Sequence, residues 1–273
     1  MTSARTSPES RNEGGITVAL LTVPCRKSVL ILRKLRESGI CVSAVVLQQA
    51  HPVTRVRRYV GRLGWRMTIR LVLQRIAAEL TTPSMESFYR DAVYRSGADD
   101  MLVVTDLNSS ESQRVLSDLN ADVGIVGCSG LLVPEVFRCF RLGVLNMHPG
   151  ITPKYRGRNP IEWAVLDDGE IGVTLHYIDQ GIDTGPVVSQ RRIEVEAGDT
   201  FDSLYRRAEM LGIDMLLDYL TALNEGRDIA LHSFSRGDSK AHGGMSHSLR
   251  QLAKRRLHER GSLGARADAR TVG

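Results

Sequence analysis

Asn146, Met147 and His148 end a strand-like segment that runs into a loop carrying Pro149, Gly150, Pro153, Gly157 and Pro160. Side chains two apart on an extended strand project to the same side, so Asn146 and His148 face one space. An amide donor beside an imidazole suits acyl transfer: the amide steadies charge on an oxygen while the imidazole moves protons. A second cluster, from Tyr177 to Pro186, sets Asp179 and Asp183 in a glycine-punctuated loop. A carboxylate brought near His148 would hold its tautomer and raise its pKa. His176 alternates within a strand and has no partner motif, so it reads as a structural histidine.

Other chemistries lose support from what the chain lacks. The turn after the first strand, Val23-Pro24-Cys25-Arg26-Lys27-Ser28, contains no glycine. A pyrophosphate needs glycines there to approach the backbone, which argues against a dinucleotide site. Neither the phosphate-loop pattern nor the G-x-S-x-G elbow of hydrolases occurs. Cys25, Cys41, Cys128 and Cys139 form no C-x-x-C pair and no zinc-type spacing with His, so no metal site is expected. Free thiols in a reducing compartment are the plain reading.

The elements that must position these groups alternate. Residues 16–23 and 41–49 are short β-branched apolar runs, read as buried strands. Between them, Val29, Leu30, Leu32 and Leu35 recur near helical spacing, with Gly39 as a stop signal. Strands follow at 101–105, 121–127 and 143–147, with helices over 109–119 and 133–140 between them. Ser110 and Gln113 are the expected caps of the first of these helices. Two further β-like segments, 172–178 and 185–195, precede a helix over 199–225 with Thr200 at its start. Strand, helix, strand with short joints predicts a parallel α/β sheet, and the carboxyl edge of such a sheet is where ligands bind.

In order and spacing the two clusters resemble the 10-formyltetrahydrofolate-dependent formyltransferase family, which includes glycinamide ribonucleotide, methionyl-tRNA and sugar N-formyltransferases. The resemblance is carried by Asn146-Met147-His148-Pro149, by Pro153-Lys154-Tyr155-Arg156-Gly157, by Gly172-Val173-Thr174-Leu175-His176 and by Asp183-Thr184-Gly185. It covers residues 100–220 well and 16–50 loosely. It implies a Rossmann-like α/β fold, with a mostly parallel sheet and helices on both faces. It also implies 10-formyltetrahydrofolate as co-substrate, and Asn146, His148 and Asp183 as the catalytic trio. The folate ring would lie between Gly130, Leu131 and Leu132 on one side and Ile178, Asp179, Gln180 and Gly181 on the other. Two departures, Gly150 where many members have Ser and Ile151-Thr152 where many have Leu-Leu, leave the acceptor pocket open.

The organisation expected is a disordered leader over 1–15, a catalytic domain over 16–235 and a basic disordered tail over 236–273. The net charge of +5 resides in that tail, which carries nine Lys or Arg against three acids, while the rest is near neutral. The tail has no aromatic residue for base stacking, so no specific nucleic-acid partner is expected. No apolar run is long enough to span a membrane, and the polar start is not a secretory signal. A cytoplasmic enzyme with a small-molecule amine as acceptor is the resulting expectation, with the oligomeric state, homodimer or otherwise, left open. Lacking the β-rich C-terminal domain of methionyl-tRNA formyltransferases, the chain is expected to formylate an amino sugar on a nucleotide carrier. Glycinamide ribonucleotide and an amino-acid-like metabolite are the alternatives, and an inactive folate-binding regulator is the non-enzyme alternative. Seven Arg over 55–80 read as the wet face of an amphipathic helix or as a surface that meets phosphates.

Overall fold

The computed structural model describes residues 15–49, 100–235 and 241–271. Residues 1–14 of the expected leader and the Arg-rich segment 55–80 lie outside the described residues. Within them, seven strands form one sheet: β1 (Thr17–Thr22), β2 (Cys41–Gln48), β3 (Asp100–Val104), β4 (Val123–Cys128), β5 (Gly143–His148), β6 (Gly172–Tyr177) and β7 (Val187–Arg192). Their order is β3-β2-β1-β4-β5-β6-β7. The first five run parallel, and β6 and β7 are antiparallel to their neighbours. This is the mostly parallel α/β sheet that the alternation predicts.

A central parallel strand is covered on both faces, so it reads as an unbroken apolar run. β1 shows how that run is shared out. Val18 and Leu20 enter one core cluster with Ile31, Leu32 and Leu35 of helix α1 (Arg26–Glu37) and Leu204, Ala208 and Leu216 of helix α5 (Phe201–Asn224). Ala19 and Leu21 point the other way, into a cluster with Leu116 of helix α2 (Ser110–Asp118) and Val136 of helix α3 (Pro134–Phe137). Helices therefore cover both faces.

Local signals mark the helix ends. Gly39, at φ +69°, stops the chain after α1. Thr200 and Ser203 form a reciprocal capping box on α5. On α2 the cap is Ser109, whose hydroxyl accepts from the Ser112 N–H at 3.1 Å, in place of the expected Ser110 and Gln113.

The expectation of a disordered tail requires correction. Residues 247–271 form helix α6, which packs against helix α4 (Pro160–Leu166). Ala253 and Leu257 are buried one turn apart. Gly261 continues the same row, and a Cβ there would stand 2.9 Å from the Glu196 carbonyl. Arg256 donates to the Leu166 carbonyl, and Arg260 to the Gly169 carbonyl at 2.9 Å. Those carbonyls at and just past the end of α4 lack intrahelical partners, so two cations there satisfy both hydrogen bonding and helix dipole. A narrow row of Ala253, Leu257 and Gly261 docks this helix, which is why its low apolar content concealed it.

Candidate active site

Asn146 and His148 sit at the carboxyl end of β5, one residue apart. The antiparallel partner β6 sets His176 opposite Asn146 and Thr174 opposite His148. Beyond β6, the loop over 178–186 turns back and ends with Asp183 between these groups. Asp183 adopts φ +50°, a left-handed conformation that a short polar side chain tolerates. Its Oδ2 lies 3.4 Å from His148 Nδ1 and accepts from the Gly157 N–H at 2.8 Å. Its Oδ1 accepts from Asn146 Nδ2 at 3.4 Å and lies 3.6 Å from His176 Nε2. All three residues of the expected trio meet at this carboxylate.

Two backbone carbonyls define the rings. His148 Nε2 lies 2.7 Å from the Tyr155 carbonyl, which can only accept, so Nε2 carries a hydrogen. The titrating proton of His148 is therefore the one on Nδ1, facing Asp183. A Cβ on Gly150 would stand 2.4 Å from the Tyr155 carbonyl and 2.8 Å from His148 Nε2, so a side chain here would wedge that hydrogen bond apart. His176 Nδ1 lies 2.8 Å from the Tyr177 carbonyl and likewise carries a hydrogen. In its neutral form Nε2 then accepts from Asn146 Nδ2, 3.1 Å away, and fixes the amide orientation.

Burial pushes the His148 pKa below its ordinary 6.5, against the pull of Asp183 and the Tyr155 carbonyl. The ring is therefore neutral near pH 7, with a free Nδ1 able to take a proton. Burial on its own would raise the Asp183 carboxyl. In the acid range where Asp183 titrates, a hydrogen bond from His176, the charge of protonated His148 and the Gly157 N–H outweigh it and hold the group at about 2. An ionised carboxylate thus lies beside a neutral imidazole and an oriented amide.

His176 is the site residue that the sequence reading assigned to a merely structural role. Its signal was present in the Thr174-Leu175-His176 spacing but becomes legible only through register with β5. Thr174 explains the rest of that motif. Its hydroxyl donates to the Gly150 carbonyl at 2.6 Å and accepts from the Thr152 N–H at 3.2 Å, pinning the loop that follows His148.

Among the residues expected around a folate ring, Asp179 turns inward. Its Oδ1 accepts from the Gly181 N–H at 2.9 Å and from the Thr184 hydroxyl at 2.5 Å, closing the turn that presents Asp183. Gln180 is exposed on that turn. Leu132 and Ile178 pack against the same apolar cluster. Gly130 and Leu131 follow the end of β4, and the Leu131 carbonyl accepts from Asn108 Nδ2 at 2.9 Å. Leu131 is 74% exposed and Ile182 42%, so each of the two loops presents a large apolar side chain to solvent. Among the described residues no cluster of His, Cys, Asp and Glu is arranged to hold a metal ion. None of the described helices is long and apolar enough to cross a membrane.

Fold and site together define an α/β protein with an amide, an imidazole and a carboxylate assembled at the edge of a mostly parallel sheet. The model of the formyl transferase family matches residues 79–220, just over half of the chain, and the protein belongs to that family. It is 34% identical over 121 residues to a methionyl-tRNA formyltransferase of Wolbachia pipientis subsp. Culex pipiens, covering 44% of this chain and 40% of the relative. It is 39% identical over 126 residues to the methionyl-tRNA formyltransferase of Nitrosomonas europaea, covering 45% and 39%. The match thus spans about two fifths of the length of these curated relatives. In fold, the chain is similar to glycinamide ribonucleotide transformylase 1 from Symbiobacterium toebii, with a TM-score of 0.58 at 17% identity over 84% of this chain and 100% of that one. It is also similar to a sugar N-formyltransferase from Shewanella sp FDAARGOS_354, with a TM-score of 0.56 at 13% identity over 88% and 87%.

Proposed function

We propose that the protein transfers a formyl group from 10-formyltetrahydrofolate to a primary amine, using Asn146, His148 and Asp183. The observation that carries this reading is the convergence of the amide, the neutral imidazole Nδ1 and the ionised carboxylate on one point. The co-substrate supplies the formyl carbon as electrophile. The apolar side chains on the two loops, Leu131 and Ile182, together with Leu132 and Ile178 on the cluster beneath, suit a flat ring inserted between them.

In this mechanism the acceptor amine attacks while neutral. Asn146 keeps its bond to His176, gives up the longer 3.4 Å bond to Asp183 and turns that N–H toward the formyl oxygen as charge develops there, a contribution of about two to three powers of ten in rate for such donors. His148 takes the amine proton on Nδ1, and Asp183 stabilises the imidazolium that results. His148 then returns the proton to the nitrogen that departs. Protonated His148 therefore arises during the reaction, in contrast to a ring that is charged from the outset. His176 holds the amide of Asn146 in register.

For the acceptor we propose an amino sugar on a nucleotide carrier, within a catalytic unit that begins near residue 16 and includes the docked C-terminal helix, in a cytoplasmic setting. Trp163 and the loop over 155–160 support this choice through their resemblance to the sugar branch. A second reading, an aminoacyl-tRNA acceptor, is favoured by the identity of 34–39% to proteins named methionyl-tRNA formyltransferase. Incubating the protein and 10-formyltetrahydrofolate with nucleotide-linked amino sugars, glycinamide ribonucleotide, amino acids and methionyl-tRNA tests all of these. Mass spectrometry should find one added formyl group on the sugar amine. Formyl transfer to methionyl-tRNA alone would replace the acceptor, and transfer to none of the panel would remove the enzymatic reading.

A further inference from the structure

The loop that carries Gly157 has a second partner, which comes from the far end of the chain. His242 N–H donates to the Arg156 carbonyl at 2.8 Å, and the His242 carbonyl accepts from the Arg158 N–H at 3.0 Å. These two bonds make a parallel bridge opposite Gly157. The peptide between Arg156 and Gly157 is trans, so its N–H points away from the carbonyl that His242 engages. There it meets Asp183 Oδ2 at 2.8 Å. The approach admits no side chain: a Cβ on Gly157 would stand 2.4 Å from the His242 carbonyl, and the residue has φ +89°.

Side chains fasten the same segment. The His242 ring stacks on Trp163 at 4.8 Å between centroids and lies 6.3 Å from the Tyr155 ring, nearly parallel to both. Its Nε2 approaches the Lys154 carbonyl at 3.2 Å. Met245 is buried, and its N–H donates to Asn159 Oδ1 at 3.3 Å. Helix α6 follows directly and is anchored on α4, so both sides of the 154–159 loop are held by one continuous piece of chain.

We infer that residues 242–245 are a strap that fixes the 154–159 loop so that the Gly157 N–H is presented to Asp183, with His242 as its positioning residue. The catalytic side of this inference rests on the role proposed above for Asp183. The structural side, an ordered Gly157 amide that depends on His242, does not.

The test uses the full chain with His242→Ala and His242→Phe, the second of which keeps a flat ring over Trp163. Hydrogen exchange of amides 156–158 should quicken at least about tenfold in His242→Ala, since a local opening now exposes them. The kcat should fall about tenfold while the KM for 10-formyltetrahydrofolate stays within about twofold, because a loosened carboxylate misorients the proton acceptor without touching the folate loops. Phe should restore both exchange protection and kcat to near wild-type values. Unchanged exchange in the Ala variant, or a Phe variant no better than Ala, would overturn the strap. Quickened exchange with unaltered kcat would overturn its link to the site. Should the wild-type protein transfer no formyl group to any amine of the panel, the functional reading falls, and the exchange measurement alone decides whether the strap exists.

Discussion

Replacing Asp183 by Asn removes one charge and keeps nearly the same shape, so its effect isolates what the carboxylate does. In the folded protein the carboxyl sits at about 2, against an ordinary 3.8. A depression of that size corresponds to about 2 kcal/mol favouring the ionised form in the native state. The side chain is 14% exposed, so solvent screening discounts this little. Because the folded pKa lies below the unfolded one, the stabilisation is complete above pH 3.8 and is lost as pH falls through about 2. Urea unfolding of wild type and Asp183→Asn should therefore differ by about 2 kcal/mol at pH 7, a shift in Tm of roughly 4–8 °C. The gap should shrink to roughly half by pH 3. Turnover should collapse in the same variant, since the imidazolium formed on His148 loses its counter-charge and the carboxylate no longer props up the His148 pKa. A variant within about 0.5 kcal/mol of wild type, or a gap that does not change between pH 7 and pH 3, would refute the electrostatic account of this site.

Three further expectations follow from individual contacts. Asn146→Ala should lower turnover by about two to three powers of ten while leaving the KM for 10-formyltetrahydrofolate close to wild type, and near-normal turnover would remove its role as oxyanion donor. Thr174→Val should cost about 1–3 kcal/mol in chemical unfolding, because the buried Thr152 N–H and Gly150 carbonyl both lose their partner; an unchanged midpoint would mean the loop finds others. The Cys25 thiol, held below its ordinary range by interaction with Cys128 and Ser28 against burial, should be alkylated at a rate that rises by well under tenfold per pH unit from pH 6 to 8. A Cys25→Ser control assigns that signal, and a rate rising tenfold per pH unit through this range would show an ordinary thiol.

Much of the frame was legible because local chemistry dictates it. Continuous apolar runs at 17–22 and 123–128 become central strands since both faces are covered, and Thr200 caps α5 because its hydroxyl reaches an unpaired N–H. Asn146 and His148 share a face through the two-residue period of a strand, and Asp183 closes on them from a loop whose glycines and Asp179 turn it back. The strand period, the helix cap and the turn depend on residues near one another in the chain, whereas the meeting of Asp183 with Asn146 spans 37 residues.

The remainder depended on pairings between distant segments, which no periodicity encodes. His176 joins the site through antiparallel register with Asn146, thirty residues earlier. Helix α6 docks through one narrow row, Ala253, Leu257 and Gly261, two of them small, whose value lies in the surface they approach more than in their own hydropathy. His242 reaches Gly157 only because that helix is docked beyond it. The sequence led to the expectation of a parallel α/β sheet and, through its family resemblance, of Asn146, His148 and Asp183 as a trio. Tertiary structure decided which nitrogen of each imidazole faces a backbone carbonyl, what orients the amide and what holds the loop behind the carboxylate, because most of the contacts at those points come from other segments of the chain.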